Sequence, residues 1–189
     1  MKRLLFALLC LISSGIAAAQ TENAWSSQDY DFYAGDFNGD GKTDILFVGR
    51  DPSLPSGIIL SGPDGPTILG QTWASDYLGI PWSSGTYSVV IGDFNGDGKS
   101  DIFLQSNLPG DSYLLLTDST GSVVGISQTV PAVAMGLGWS GDQHHLVAGD
   151  FTGSGRSALY LQPVDPSGTS AIVVPDVNGQ FTASVPVQT

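Results

Sequence analysis

The chain of 189 residues holds one cysteine, Cys10, and only six lysines and arginines against eighteen aspartates and glutamates. Each shortage excludes something. A single cysteine closes no intramolecular disulfide, so no covalent framework stiffens this chain. Cys10 lies inside the apolar run 4–12 and follows the bulky pair Leu8-Leu9, which argues against lipid attachment there. The scarcity of cations, with a formal net charge of −12, removes the clustered Lys and Arg that nucleic-acid binding needs to displace counterions. Histidine is limited to the neighbours His144 and His145, and glutamate to Glu22. Neighbouring histidines on a strand point to opposite faces, and no nucleophile with a base, nor a pair of tuned acids, can be assembled from the pattern. Gly138-Trp139-Ser140-Gly141-Asp142 lacks the last glycine of a nucleophile elbow, and no phosphate-cradling loop is present. An enzyme is not expected.

Long hydrophobic runs are scarce as well. A membrane-spanning helix needs roughly 20 apolar residues, and the run 4–12, the longest, is about half that before Ser13, Ser14 and Gly15 interrupt it. Preceded by Lys2-Arg3 and followed by Ala17-Ala18-Ala19, this run has the layout of a secretory signal peptide over residues 1–19. The expectation is an exported product, secreted or periplasmic, in which residues 20–189 form a single repeat domain without cysteine. Removing Lys2 and Arg3 takes the net charge from −12 to −14. The acidity is almost purely aspartate, which in loops points towards cations.

What the chain has in abundance is periodicity. Trp25, Trp82 and Trp139 stand 57 residues apart, and Tyr30, Tyr87 and His144 keep that interval, as do Gly35-Asp36-Phe37, Gly92-Asp93-Phe94 and Gly149-Asp150-Phe151. Three landmarks in one register define the units 25–81, 82–138 and 139–189. Within each unit, runs of β-branched and aromatic residues alternate with Gly/Asp/Asn turns, which predicts two hairpins and hence four strands. Tandem four-stranded sheets suggest propeller blades. The fold class expected is therefore all-β, with three tandem four-stranded, propeller-blade-like repeats of about 57 residues. Because propellers close with about four to eight blades, three leave an open arc, a compact packing, or a homo-oligomer that supplies the missing blades. The tryptophans are expected to pack between sheets, and the connectors 73–81 and 130–138 to offer exposed aromatic and apolar residues for contact.

The chemistry is expected in the hairpin loops. Asp36-Phe37-Asn38-Gly39-Asp40-Gly41-Lys42-Thr43-Asp44 recurs as Asp93-Phe94-Asn95-Gly96-Asp97-Gly98-Lys99-Ser100-Asp101. Oxygen side chains at positions one, three, five and nine, with glycine at six, suit a cation of calcium's size, which takes six to eight oxygens in a flexible cage. The carbonyls of Lys42 and Lys99 would serve at position seven, their side chains pointing to solvent. Magnesium demands stricter octahedral geometry, and softer metals want His or Cys. The helix-flanked EF-hand needs Glu at position twelve, where Phe47 and Leu104 stand. Two calcium sites are expected. The third loop, Asp150-Phe151-Thr152-Gly153-Ser154-Gly155-Arg156-Ser157-Ala158, has lost carboxylates five and nine; its shape is expected to rest on hydrogen bonds, with Arg156 pairing with Asp150.

These loops and their flanks, Gly35 to Phe47 and Gly92 to Leu104, resemble the FG-GAP/VCBS repeat family, the calcium-loop blades of integrin α-chain propellers and of many bacterial exported proteins. The longer spacing and the Trp-Ser-Ser lead-in are also similar to repeat regions of bacterial RHS-type toxins. The resemblance implies a propeller-type fold, calcium at Asp36, Asn38, Asp40, Lys42 and Asp44 and at Asp93, Asn95, Asp97, Lys99 and Asp101, and a role in adhesion or partner binding. The functional expectation is a recognition module for a protein or glycan. A structural subunit or remnant of a larger exported assembly is the alternative, and a calcium-dependent hydrolase the third.

Overall fold

A computed structural model describes residues 26–63 and 65–187; the signal peptide expected at 1–19 and the first repeat tryptophan, Trp25, lie outside them. The strands are β1 (Tyr30–Gly35), β2 (Asp44–Gly49), β3 (Ser56–Gly62), β4 (Gly65–Trp73), β5 (Tyr87–Gly92), β6 (Asp101–Ser106), β7 (Ser112–Thr117), β8 (Val123–Val130), β9 (Val133–Ala134), β10 (Leu137–Gly138), β11 (His144–Gly149), β12 (Ala158–Pro163), β13 (Ala171–Pro175) and β14 (Phe181–Pro186). They form three antiparallel meanders, β1–β4, β5–β8 and β11–β14, and a small β9–β10 ribbon. Each meander falls within one 57-residue period, and the fold is all-β with blade-like repeats as expected.

The sheets are held together by their faces. Between the first and second sheets lies a core that includes Phe37, Leu46, Ile58, Trp73, Trp82, Ile102, Leu104 and Leu115. A second core, between the second and third sheets, includes Phe94, Phe103, Leu114, Trp139, Leu159, Leu161 and Phe181. The phenylalanines of the first two Gly-Asp-Phe steps are wedges that enter the next core. Phe94, for example, meets Phe181 edge-on at 5.7 Å between centroids, a favourable aromatic arrangement. Phe37 and Phe94 are fully buried, whereas Phe151, with no described sheet beyond it, is 47% exposed.

A polar clamp repeats beside each core. Gln71 on β4 accepts from the Val123 N–H at 2.7 Å. One period later Gln128 on β8 accepts from the Phe181 N–H at 2.8 Å and donates to the Phe181 carbonyl at 2.8 Å. Each glutamine thereby supplies the edge of the next sheet with a partner for a backbone group that would otherwise be buried unpaired.

The connector 73–81 is not the contact surface expected of it, whereas 130–138 stays half-buried or exposed along 131–138. Trp73, Ile80 and Trp82 are buried, and Tyr77 and Leu78 pack against the same core. Trp82 and Trp139 bury fully and donate their indole N–H to the carbonyls of Tyr77 and Ala134, at 3.1 Å in each case. Leu78 and Met135, also 57 residues apart, adopt the left-handed region at φ 60° and 54°. That conformation is costly for residues with a Cβ, and here it turns an apolar side chain back onto the core. The connectors are apolar because they seal the seams between sheets, leaving Val133 as the exposed large apolar residue of the two.

Truncating Phe94 to alanine is expected to destabilise the fold by about 3–5 kcal/mol. Gln128→Ala is expected to cost about 1–3 kcal/mol through the stranded Phe181 N–H. Denaturant unfolding, read as a shift in midpoint at unchanged slope, checks both.

Candidate metal centres

The two intact loops join β1 to β2 and β5 to β6, and their shape comes first from the aspartate at position one. Asp36 accepts from the backbone N–H groups of Gly39 at 2.7 Å, Asp40 at 3.1 Å and Gly41 at 2.8 Å. Asp93 repeats this with Gly96, Asp97 and Gly98 at 2.7, 3.1 and 2.9 Å. The turn requires positive φ at two positions, met by Gly39 and Gly41 at 76° and 83°, where glycine carries no steric penalty. At position three, Asn38 and Asn95 accept from the N–H two residues on. At position five, Asp40 and Asp97 accept from the backbone N–H of Lys42 and Lys99.

The lysine side chains depart from expectation. Each ammonium returns to the position-five carboxylate, Lys42 to Asp40 at 2.9 Å and Lys99 to Asp97 at 2.5 Å. The Lys42 hydrogen bond is the main cause holding the Asp40 carboxyl below the usual range. Asp97 is also lowered, because hydrogen bonds from Lys99 and Asn95 outweigh the burial that opposes them. Lys42 is half exposed, but the Lys99 side chain is only 15% exposed. Its stem lies across the preceding loop, where a Cβ on Gly39 would come within 3.0 Å of the Lys99 Cγ. Neighbouring loops are also bonded directly, Ser100 N–H to the Asp36 carbonyl and Ser157 N–H to the Asp93 carbonyl, both at 2.6 Å. The three loops thus form one continuous row.

The aspartate at position nine has a second occupation that sequence reasoning missed. Asp44 is fully buried; it accepts from Phe37 N–H at 2.9 Å and from Ser61 N–H at 2.8 Å. Asp101, equally buried, accepts from Phe94 N–H and Thr117 N–H, both at 3.0 Å. It staples the loop to the third strand of its own sheet. Burial pushes the Asp101 carboxyl up to about 7 despite those two hydrogen bonds, and the charges of Asp97 and Asp93 add to the rise. The signal that could have revealed the staple is the recurring hydroxyl pair Ser61 and Thr117, whose side chains donate to the carbonyls of Thr43 and Ser100.

The third loop serves as an internal control. Asp150 still accepts from Ser154 and Gly155 N–H groups at 2.9 and 2.8 Å, and Gly153 and Gly155 keep positive φ. The Gly155 N–H is the main cause that lowers the Asp150 carboxyl. The backbone shape therefore needs neither the position-five nor the position-nine carboxylate. The expected Asp150–Arg156 pair is not among the ion pairs of the described residues. Arg156 crosses instead onto the second loop, its Cγ 2.8 Å from where a Gly96 Cβ would stand, and its buried Nε has no hydrogen-bond partner. With Ala158 at position nine, the Phe151 N–H turns to the Gly149 carbonyl.

The donor set of the two intact loops, all oxygen and at alternate positions, fits a hard cation. Asp40, Asp44, Asp97 and Asp101 exceed what the loop shape requires. Among the described residues, however, no three carboxylates or imidazoles are already gathered as a metal-holding group. Loading an ion would require the lysine ammonium to yield its carboxylate and the position-nine aspartate to share its oxygens.

Elsewhere, an open cleft of about 450 Å³ lies between the β9–β10 ribbon and the third sheet, lined among others by Val133, Leu137, Asp142, Gln143, His144 and Asp165. The adjacent His144 and His145 are on β11, and a buried Nδ1 of His144 has no partner.

Residues 36–104 match the family model of the FG-GAP-like repeat, the segment that spans both intact loops. No curated protein sequence matches the chain. Among solved structures, a lectin of Agrocybe aegerita, described as recognising non-reducing terminal N-acetylglucosamine, aligns over 87% of this chain with a TM-score of 0.60 and 19% identity. The chain spans 39% of that lectin's length. At this identity the likeness is one of fold.

Replacing Asp101 or Asp44 with alanine strands two buried N–H groups and is expected to cost about 2–6 kcal/mol at about 1–3 per donor, read by denaturant unfolding. The raised Asp101 pKa has a sign that can be tested. Without metal, the folded chain holds this proton between about pH 4 and pH 7 while the unfolded chain releases it, so this group's contribution makes stability fall as pH rises through that window. In chelator, the difference in melting temperature between wild type and Asp101→Asn is expected to change across that window and level off above it.

Proposed function

We propose that this chain, whose residues 36–104 are FG-GAP-like repeat, is an exported calcium-binding recognition module that contacts a protein or glycan and does not catalyse a reaction. The observation that carries the calcium half is the surplus of carboxylates. The third loop keeps the same turn with one aspartate, whereas the first two each add two more. In loop one Asp36, Asn38, Asp40, Asp44 and the Lys42 carbonyl would hold the ion; in loop two Asp93, Asn95, Asp97, Asp101 and the Lys99 carbonyl. Bound there, calcium would neutralise a row of like charges and tie each hairpin loop to the staple behind it, replacing the disulfides an exported chain of this size commonly uses.

The recognition half is supported by a rigid stack that holds loops and clefts in place and by the fold shared with a glycan-recognising lectin. The cleft beside His144 combines apolar walls at Val133 and Leu137 with Asp142, Gln143 and Asp165, the mixture that suits a small polar ligand. The second reading, a subunit of a larger assembly, is favoured by the uncovered face of the third sheet.

Calcium is expected to raise the melting temperature while magnesium does not, by the equivalent of about 2.7 kcal/mol per site at a hundredfold excess over the dissociation constant. Asp40→Ala combined with Asp97→Ala should abolish the shift; an unchanged wild-type melting temperature would withdraw the metal. For recognition, the labelled chain is expected to bind members of a glycan array in calcium, with binding lost in Asp142→Ala. An empty array, together with no binding to cell surfaces, would count against this reading.

A further inference from the structure

The two seams between sheets repeat one pattern. On the first sheet the cross-strand row Tyr33, Leu46 and Ile58 faces the second sheet. On the second sheet the row Val90, Phe103 and Leu114 faces the third. The same row on the third sheet is Val147, Tyr160, Ile172 and Val185, paired directly from strand to strand across all four strands. Where Leu46, Phe103 and Leu114 are fully buried, Val147 is 52% and Val185 61% exposed. Phe151, the third loop wedge, projects at the same end of the stack.

The other end carries the complementary half. Ile91, Ile102 and Leu115 form the row by which the second sheet receives the first. Their counterparts on the first sheet, Ala34, Ile45 and Ile59, are exposed or half-buried, beside Phe32 at 45% exposed, while Phe47, the counterpart of Leu104, is already buried. One chain therefore presents both sides of a seam that it builds twice internally.

We propose that the outward face of the third sheet docks, head to tail, on the first sheet of a second copy of this chain. The occupant follows from continuity with the existing seams: the surface that would cover Val147 and Val185 has the residue pattern of the surfaces that cover Leu46 and Phe103, and the chain itself exposes part of it, at Phe32 and Ala34. The new seam differs in one respect. The clamp position of Gln71 and Gln128 is Val185 on the third sheet, so this contact rests on apolar burial without the glutamine bridge. Two copies docked reciprocally at both ends form a closed two-fold assembly with six four-stranded sheets, within the range of about four to eight at which propellers close. A head-to-tail contact that did not close would instead extend into filaments.

The test is the mass of the full chain in solution by sedimentation velocity over a concentration series, with Val147→Lys and Phe32→Lys as the variants. Wild type is expected at twice the mass of one chain. Each variant, with the lysine at opposite ends of the stack, should weaken association by about tenfold or more, the scale of losing an apolar contact at the centre of an interface. Mixing the two variants should restore a pair, because one intact third-sheet face then meets one intact first-sheet face. A wild-type chain that stays monomeric throughout overturns the proposal. So does a dimer broken by Val147→Lys but untouched by Phe32→Lys, which would mean that third sheets meet each other. Circular dichroism confirms that each variant is folded, and Val185→Lys replaces Val147→Lys should the latter fail to fold.

Discussion

A four-stranded antiparallel sheet that is apolar on both faces cannot stand alone in water, and nearly every feature of this chain answers to that constraint. The middle sheet meets it fully, burying Ile102, Leu104 and Leu115 on one side and Phe103 and Leu114 on the other. The connectors answer to it as well. Trp73, Tyr77, Leu78, Ile80 and Trp82 form a plug at the margin of the first seam, and Met135, Leu137 and Trp139 do the same at the second. Even the strained φ at Leu78 and Met135 is explained by it, since turning those side chains inwards buries area that would offset a backbone cost of about 1–2 kcal/mol.

The loops depend on the same stacking. Each loop is completed by the sheet that follows it: Ser100 and Ser157 close onto Asp36 and Asp93, Lys99 and Arg156 lie over the preceding glycines, and Phe37 and Phe94 enter the next core. The third loop has no follower among the described residues, and it is also the loop that has lost its staple and keeps its phenylalanine outside. A position-nine aspartate anchors Phe37 or Phe94 through its N–H, the two phenylalanines that pack within the described seams.

Much of this was legible in the residues. The 57-residue interval fixed the sheet count, and alternating β-branched runs placed the strands close to where they stand, since strand period and turn chemistry are local properties. What escaped is non-local. The apolar connector 73–81 reads as a contact surface because hydrophobicity alone does not distinguish a plug from an exposed patch. Arg156 was assigned to its own loop because sequence proximity conceals the neighbouring turn on which it lies. Gln71 and Gln128 kept the same interval in plain sight, but a glutamine on a strand carries no signal until the edge it bonds is known. The staple role of Asp44 and Asp101 was hidden for the opposite reason: the metal-ligand pattern already gave those residues a purpose.

That double role is the point at which stability and ion binding meet. A carboxylate with two buried N–H donors is well placed to remain ionised, yet Asp101 is pushed up to about 7, chiefly because its burial outweighs those bonds. The nearby charges of Asp93 and Asp97 add to that rise, and Lys99, the cation of the same loop, is committed to Asp97. A divalent ion in the loop would act on all three carboxylates at once. It would lower the cost of the buried charge, release Lys99 from Asp97, and leave the staple to Phe94 and Thr117 intact through the second lone pair that each carboxylate oxygen retains. The wedge, the staple and the ion site would then be one device, with cation binding felt at the seam between sheets through the Phe94 backbone.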